Sequence, residues 1–96
     1  MTDNNMVFIG EKPFMNYVTS VVMQFTVKNA EEVTIKARGK FISRAVDVAE
    51  VASKRFLEGR IGSKDIRINS ESFQNKEGRN ISVSTIEILL ARKQNV

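Results

Sequence analysis

Twice in this chain a short apolar or alternating run ends at a glycine and gives way at once to apolar residues spaced by three and four. The first run is Met6–Ile9 (MVFI), closed by Gly10 and followed from Phe14 by Val18, Val21, Val22 and Phe25, with Met15 and Val27 beside them. The second is Glu31–Ala37 (EEVTIKA), in which Val33, Ile35 and Ala37 alternate with Thr34 and Lys36. Gly39 closes it, and Ile42, Ala45, Val46, Ala49, Ala52 and Phe56 follow as a helical stripe, widened by Phe41, Val48 and Val51. Short β-branched runs make strands, and a period near 3.6 makes a helix. The chain therefore opens strand, helix, strand, helix. Pro13 suits the first position of a helix, where its missing N–H costs nothing, and that helix is expected to end near Asn29.

The remainder reads as a long hairpin. "GRIG", Gly59–Gly62, breaks the second helix before a third strand, Lys64–Phe73, in which Ile66 and Ile68 alternate with Arg67 and Asn69. "NKEGRN", Asn75–Asn80, is a polar turn leading into a fourth strand, Ile81–Ala91. Arms of this length extend roughly 30 Å at about 3.3 Å per residue, so the tip is expected to project beyond so small a body. Apolar parity along the fourth strand switches from Ile81 and Val83 to Ile86, Ile88 and Leu90. That switch predicts either a bulge or a change in which face is covered. The order βαβαββ points to a two-layer α/β sandwich, with two helices on one face of a mixed four-stranded sheet.

Ninety-six residues, 42% hydrophobic and 27% charged, fit one globular domain over residues 1–96, with residues 1–5 expected as a flexible tail. A core this small hides only about 60–70% of the unfolded surface, which leaves room for a partner subunit. The second helix, apolar over much of its circumference, is where such a partner is expected to pack. With no cysteine and no histidine, thiolate metal sites, cysteine nucleophiles and the commonest general base are excluded. No metal or other cofactor is expected, and no phosphate loop or nucleophile motif supports an enzyme. No apolar run approaches the roughly 18 residues that cross a bilayer, so the expectation is a soluble, intracellular protein without a membrane partner.

Fifteen Lys and Arg against eleven Asp and Glu give a formal charge of +4. Four cations, Lys36, Arg38, Lys40 and Arg44, fall in "IKARGKFISRAVD", which has no acid before Asp47. Folding alone would not choose this arrangement. Lys40 and Arg44 form a like-charge i,i+4 pair costing a few tenths of a kcal/mol, and cations at a helix N-terminus oppose the dipole by about 0.3–1 kcal/mol each. Lys12, in "GEKPF", repeats the pattern at the first helix. Helices that follow parallel strands begin at the same end of the sheet, so these cations and helix N-termini are expected to form one phosphate-binding surface. The bland alternative is a solvated rim.

Other candidates are less sharply marked. Asn16 and Tyr17 either donate to phosphate or stack on a base, or Tyr17 is a half-buried amphipathic residue. Lys76 and Arg79, beside Glu77 at the hairpin tip, form either an arm for a duplex groove or an ordinary polar turn. Phe56, followed by Leu57 near the end of the second helix, is either a core residue or an exposed contact between assemblies, and periodicity favours core.

Four stretches, "GEKPFMNYV", "IKARGKFISRAVD", "RFL" and "VSTIEI", occur in the order and spacing of one family and span Met6 to Arg92. On them the chain resembles Alba, the small basic chromatin proteins of archaea. The resemblance implies a fold like the C-terminal domain of a bacterial translation initiation factor, present as a homodimer or as a heterodimer with a paralogue. It implies binding of double-stranded DNA with little sequence preference, binding of RNA, further assembly along DNA, and a cytoplasmic, chromosome-associated (nucleoid) location. The nucleic-acid contacts it implies are Lys12, then Arg38, Lys40 and Arg44, with Lys76 and Arg79 at the tip. Phe56, with Leu57 beside it, falls at the family's contact between dimers. Glu11 departs from the pattern: it stands where relatives carry the first of two lysines, the acetylation target. Weaker binding is expected, with a salt dependence shallower by up to about one to two phosphate equivalents per subunit.

Overall fold

A computed structural model of the chain describes residues 5–94. The elements are β1 (Met6–Phe8), α1 (Phe14–Thr26), β2 (Glu32–Arg38), a 3-10 turn (Gly39–Phe41), α2 (Ile42–Val51) continued by a π-helical turn (Ala52–Phe56), β3 (Ile61–Gln74) and β4 (Asn80–Arg92). They form one four-stranded sheet in the order β1-β2-β4-β3, with β1 parallel to β2 and the other pairs antiparallel. The predicted two-layer sandwich is the observed architecture.

Register shows why both helices sit on one face. Val7 pairs with Ile35 and Ile35 with Ile88, while Val33 pairs with Leu90 and Ala37 with Ile86. These side chains point the same way, and each is buried against Val18, Val21 and Phe25 of α1 and Ala45, Val48 and Ala49 of α2. Burying each of the larger ones contributes about 1.5–3 kcal/mol. The opposite face of the sheet is open. Phe8, expected within a buried run, lies on it and is 60% exposed, because β1 alternates rather than being covered on both sides.

The far end of the body is tied by Arg92. Its guanidinium donates to the carbonyls of Phe25 (2.7 Å) and Ala30 (3.2 Å), placing a cation on the exit of α1, where the dipole favours one. At that exit Asn29 adopts φ 58°. Residues 1–4 of the expected N-terminal tail lie outside the described residues. Asn5 is ordered, its carbonyl accepting the Thr34 N–H at 2.9 Å.

β4 carries no bulge. Its register with β3 is unbroken from Ala91 to Asn80, and the irregularity lies in β3 between Ile61 and Ser63. There Gly62 has no partner, and a Cβ on it would come 2.8 Å from the Lys93 Cα. The parity switch in β4 is a change of covered face. Ile86, Ile88 and Leu90 face the helices, whereas Ile81 and Val83 belong to the segment beyond them, on the other side of the strand.

β2 stops at the Arg38–Thr85 pair, and the five β3–β4 pairs from Ser70–Ser84 to Gln74–Asn80 continue without a third strand. The strands are longer than expected, but much of each belongs to the body, so the free arm is about 17 Å plus its turn. The Asn75 side-chain oxygen closes that turn by accepting the N–H groups of Glu77 (2.9 Å) and Arg79 (3.0 Å). With the arm, the molecule measures 53 × 27 × 22 Å.

Candidate nucleic-acid interface

Two loops meet at the end of the sheet from which the arm projects. The first, Gly10 to Pro13, leaves β1 and enters α1. The second, Arg38 to Phe41, leaves β2, turns at Gly39 (φ 57°) and enters α2. A non-glycine residue at that φ would be strained. Neither helix start has a side-chain cap or an acid in its first turn, so their leading N–H groups and the cations beside them share one end of the molecule.

Tyr17 organises the first loop. It is buried, and its hydroxyl accepts the backbone N–H groups of both Gly10 and Lys12 at 3.0 Å. Gly10 is small because the hydroxyl needs the room: a Cβ there would lie 3.3 Å from it. Tyr17 is therefore buried rather than laid open for stacking, and its hydroxyl oxygen is taken up by the loop. Asn16, next to it, is exposed.

Arg44 joins the loops. Its guanidinium lies over the Tyr17 ring, 5.6 Å from the centroid, and donates to the Gly10 carbonyl at 2.6 Å. It is half-buried, so it acts as a brace that contributes charge to the surface. A second link is the Lys40–Glu11 ion pair at 3.7 Å. Lys12, Arg38 and Lys40 are all exposed beside these links, and Lys12 makes no ion pair among the described residues.

The acid-free stretch is not acid-free in space. Lys36 faces Glu87 at 3.5 Å, Arg38 faces Glu71 at 3.4 Å and Lys40 faces Glu11. Only Glu11 was visible from the sequence. Glu71 and Glu87 reach the site through strand register, which local spacing does not reveal. With five cations against three carboxylates the cluster carries a net +2. Exposed pairs of this kind are worth about 0–1 kcal/mol each, little enough for an incoming anion to displace.

Lys76 and Arg79 are exposed at the arm tip, about 17 Å from the loops along the strand direction. The structure does not gather them with the loop cations, but it sets them at the far end of the arm whose base carries those cations. Phe56, at the end of the π-helical turn, is 50% exposed, as an intermolecular contact requires. Leu57 corrects the expectation. It has no exposed surface and belongs to the core, because the chain turns inward after Phe56.

Among the described residues no group of three His, Cys, Asp or Glu could hold a metal ion, and no helix is long and apolar enough to cross a membrane.

The family model described as Alba matches residues 5–70. The chain is 57% identical to the DNA/RNA-binding protein Alba of Nanoarchaeum equitans over 91% of its own length and 97% of that protein. It is 49% identical to the DNA/RNA-binding protein Alba of Methanococcus maripaludis, with the same two coverages. Among solved structures, Alba from Thermoplasma volcanium superposes with a TM-score of 0.82 at 48% identity, covering 92% of this chain and all of that one.

Proposed function

The chain belongs to the Alba family, a family of nucleic-acid-binding architectural proteins rather than enzymes, and on that premise we propose that it binds double-stranded DNA through backbone phosphates with little regard to sequence, and so organises the chromosome. The observation that carries this reading is the convergence of the Gly10–Pro13 and Arg38–Phe41 loops, braced by Arg44 on the Gly10 carbonyl. It presents Lys12, Arg38 and Lys40 together with two helix N-termini. Cations of this kind position a phosphate backbone without reading bases, and the arm can lie along the duplex with Lys76 and Arg79 at its end. Asn16, exposed on the first turn of α1, is a further phosphate donor in this arrangement. Replacing Lys12 or Arg38 by alanine is expected to weaken binding by similar factors on two duplexes of unrelated sequence. Loss on one sequence alone would mean base readout instead.

The working unit in this reading is a dimer. Val46 on α2 and Ile66 and Ile68 on β3 are 40%, 57% and 79% exposed. The Glu50–Lys64 bridge between α2 and β3, at 2.6 Å, lies one helical turn from Val46 and two residues from Ile66. Ile66 and Ile68 pair with Ile88 and Ile86 and so lie on the face that carries the helices, and in this reading they form one trough with Val46. A second copy or a paralogue covers it in this proposal, and exposed Phe56 makes contacts between dimers.

The relatives' names also favour RNA as a ligand, and a backbone-directed site suits both polymers. Competition between duplex DNA and structured RNA at equal salt separates the two readings.

A further inference from the structure

Of the three ion pairs in the loop cluster, Arg38–Glu71 differs in what it connects. Arg38 is the last residue of β2 and pairs with Thr85, whose partner on β3 is Asn69. Its guanidinium reaches past that row to Glu71, with Nη1 and Oε1 3.4 Å apart. Glu71 is the second residue of the free arm. The pair is therefore a side-chain tie between the body and the arm, at the base of the surface assigned to phosphate.

A carboxylate offers a guanidinium the same ligand as a phosphate: negatively charged oxygens spaced to meet its fork of donors. We propose that Glu71 is an internal competitor for the phosphate bound by Arg38, so that a nucleic-acid backbone must displace it and the exchange lowers the affinity of the loop surface. This inference rests on the phosphate-binding reading above. The exchange is a cheap one, since the two side chains are 58% and 55% exposed. It also unties the arm, because Glu71 loses its contact with the body when Arg38 changes partner. Lys40–Glu11 is a looser version of the arrangement, at 3.7 Å and with both side chains more than three-quarters exposed. Lys36–Glu87 joins neighbouring strands within the sheet and ties nothing to the arm. Glu71 lies just beyond residues 5–70, the segment that the family model matches.

The test measures affinity for a labelled DNA duplex at low salt, using the full chain and four variants: Glu71→Gln, Arg38→Ala, the double variant and Glu32→Gln. The last makes the same charge change at the opposite end of β2. Glu71→Gln is expected to tighten binding by about two- to five-fold, and Glu32→Gln by less. Arg38→Ala is expected to weaken binding, and adding Glu71→Gln to it is expected to restore no more than Glu32→Gln gains. If Glu71→Gln leaves binding unchanged or weaker while Arg38→Ala weakens it, the competitor is overturned and the phosphate-binding reading stands. An equal gain with and without Arg38 makes Glu71 a general repulsive charge and also overturns it. No loss in Arg38→Ala removes both the inference and the reading beneath it. Glu71 is exposed, and thermal unfolding of each variant shows that the fold is retained.

Discussion

One hydroxyl holds much of the site together. Tyr17 accepts two backbone N–H groups from the loop that carries Lys12, and its ring supports the Arg44 guanidinium. Tyr17→Phe keeps the ring but orphans both donors. It is expected to cost roughly 1–3 kcal/mol of stability, to speed hydrogen exchange at the Gly10 and Lys12 amides, and to weaken nucleic-acid binding through a looser loop; unchanged exchange at those amides would remove Tyr17 from this role. The individual cations were legible in the sequence because their placement is unfavourable for folding: like charges near helix starts with no acid between them. Their acidic partners were not, apart from Glu11, because Glu71 and Glu87 are brought in by strand pairing. Tyr17 was ambiguous for a related reason. Its role depends on a loop folding back over it, and a helical stripe says which face is buried without saying what the hydroxyl meets. The same gap misplaced Phe56, which the helical stripe put in the core and the structure leaves 50% exposed, since a stripe cannot show where the chain turns inward.

At the scale of elements, every strand and helix was legible from apolar period and glycine placement, and the errors lie where tertiary context decides. The second helix reads as continuous to Phe56, yet its last turn is π-helical from Ala52. The parity switch in β4 admitted two explanations, and the observed one depends on where β2 ends. Glu50 illustrates how elements are joined: it bridges α2 to β3 through Lys64 and meets Lys54 on the next helical turn. These partners, Lys64 foremost, hold its carboxyl below its ordinary value of 4.5. A depressed carboxylate contributes stability that is fully present above the unfolded value and is lost as pH falls through the folded one. Glu50→Gln is therefore expected to lower the melting temperature by at most a few degrees at neutral pH, an exposed pair being weak. The gap from the parent should close as pH falls below 4.5. Melting curves across that range check it, and a gap that widened on acidification would contradict the sign.

The whole molecule is a small body with a charged end, an arm rising from that end and, along one side, the exposed Val46, Ile66 and Ile68 of the proposed apolar trough. Exposed Ile66 and Ile68 were legible as alternating strand residues, but not as uncovered ones, since the reach of α2 over the sheet is not written in local pattern. Ile68→Asp adds a charge at a position 79% exposed, so the monomer is expected to keep its fold while a dimer built on the trough dissociates. Mass in solution at micromolar concentration should fall by half, and a mass unchanged from the parent would move the subunit contact elsewhere. In the proposed reading, loss of the dimer is expected to halve the footprint on DNA and to lower affinity with it. The central claim, that cations of two converging loops replace the counterions of a nucleic-acid backbone, is tested most directly by the salt dependence of binding. Affinity should be measured for the parent and Lys12→Ala on two unrelated duplexes of equal length. With three loop cations per subunit in a dimer, the slope of log K against log salt is expected to be on the order of −5 on both duplexes, and shallower by about one for each lysine lost. A nearly flat response, or one unaltered by the loss of Lys12, would contradict the claim.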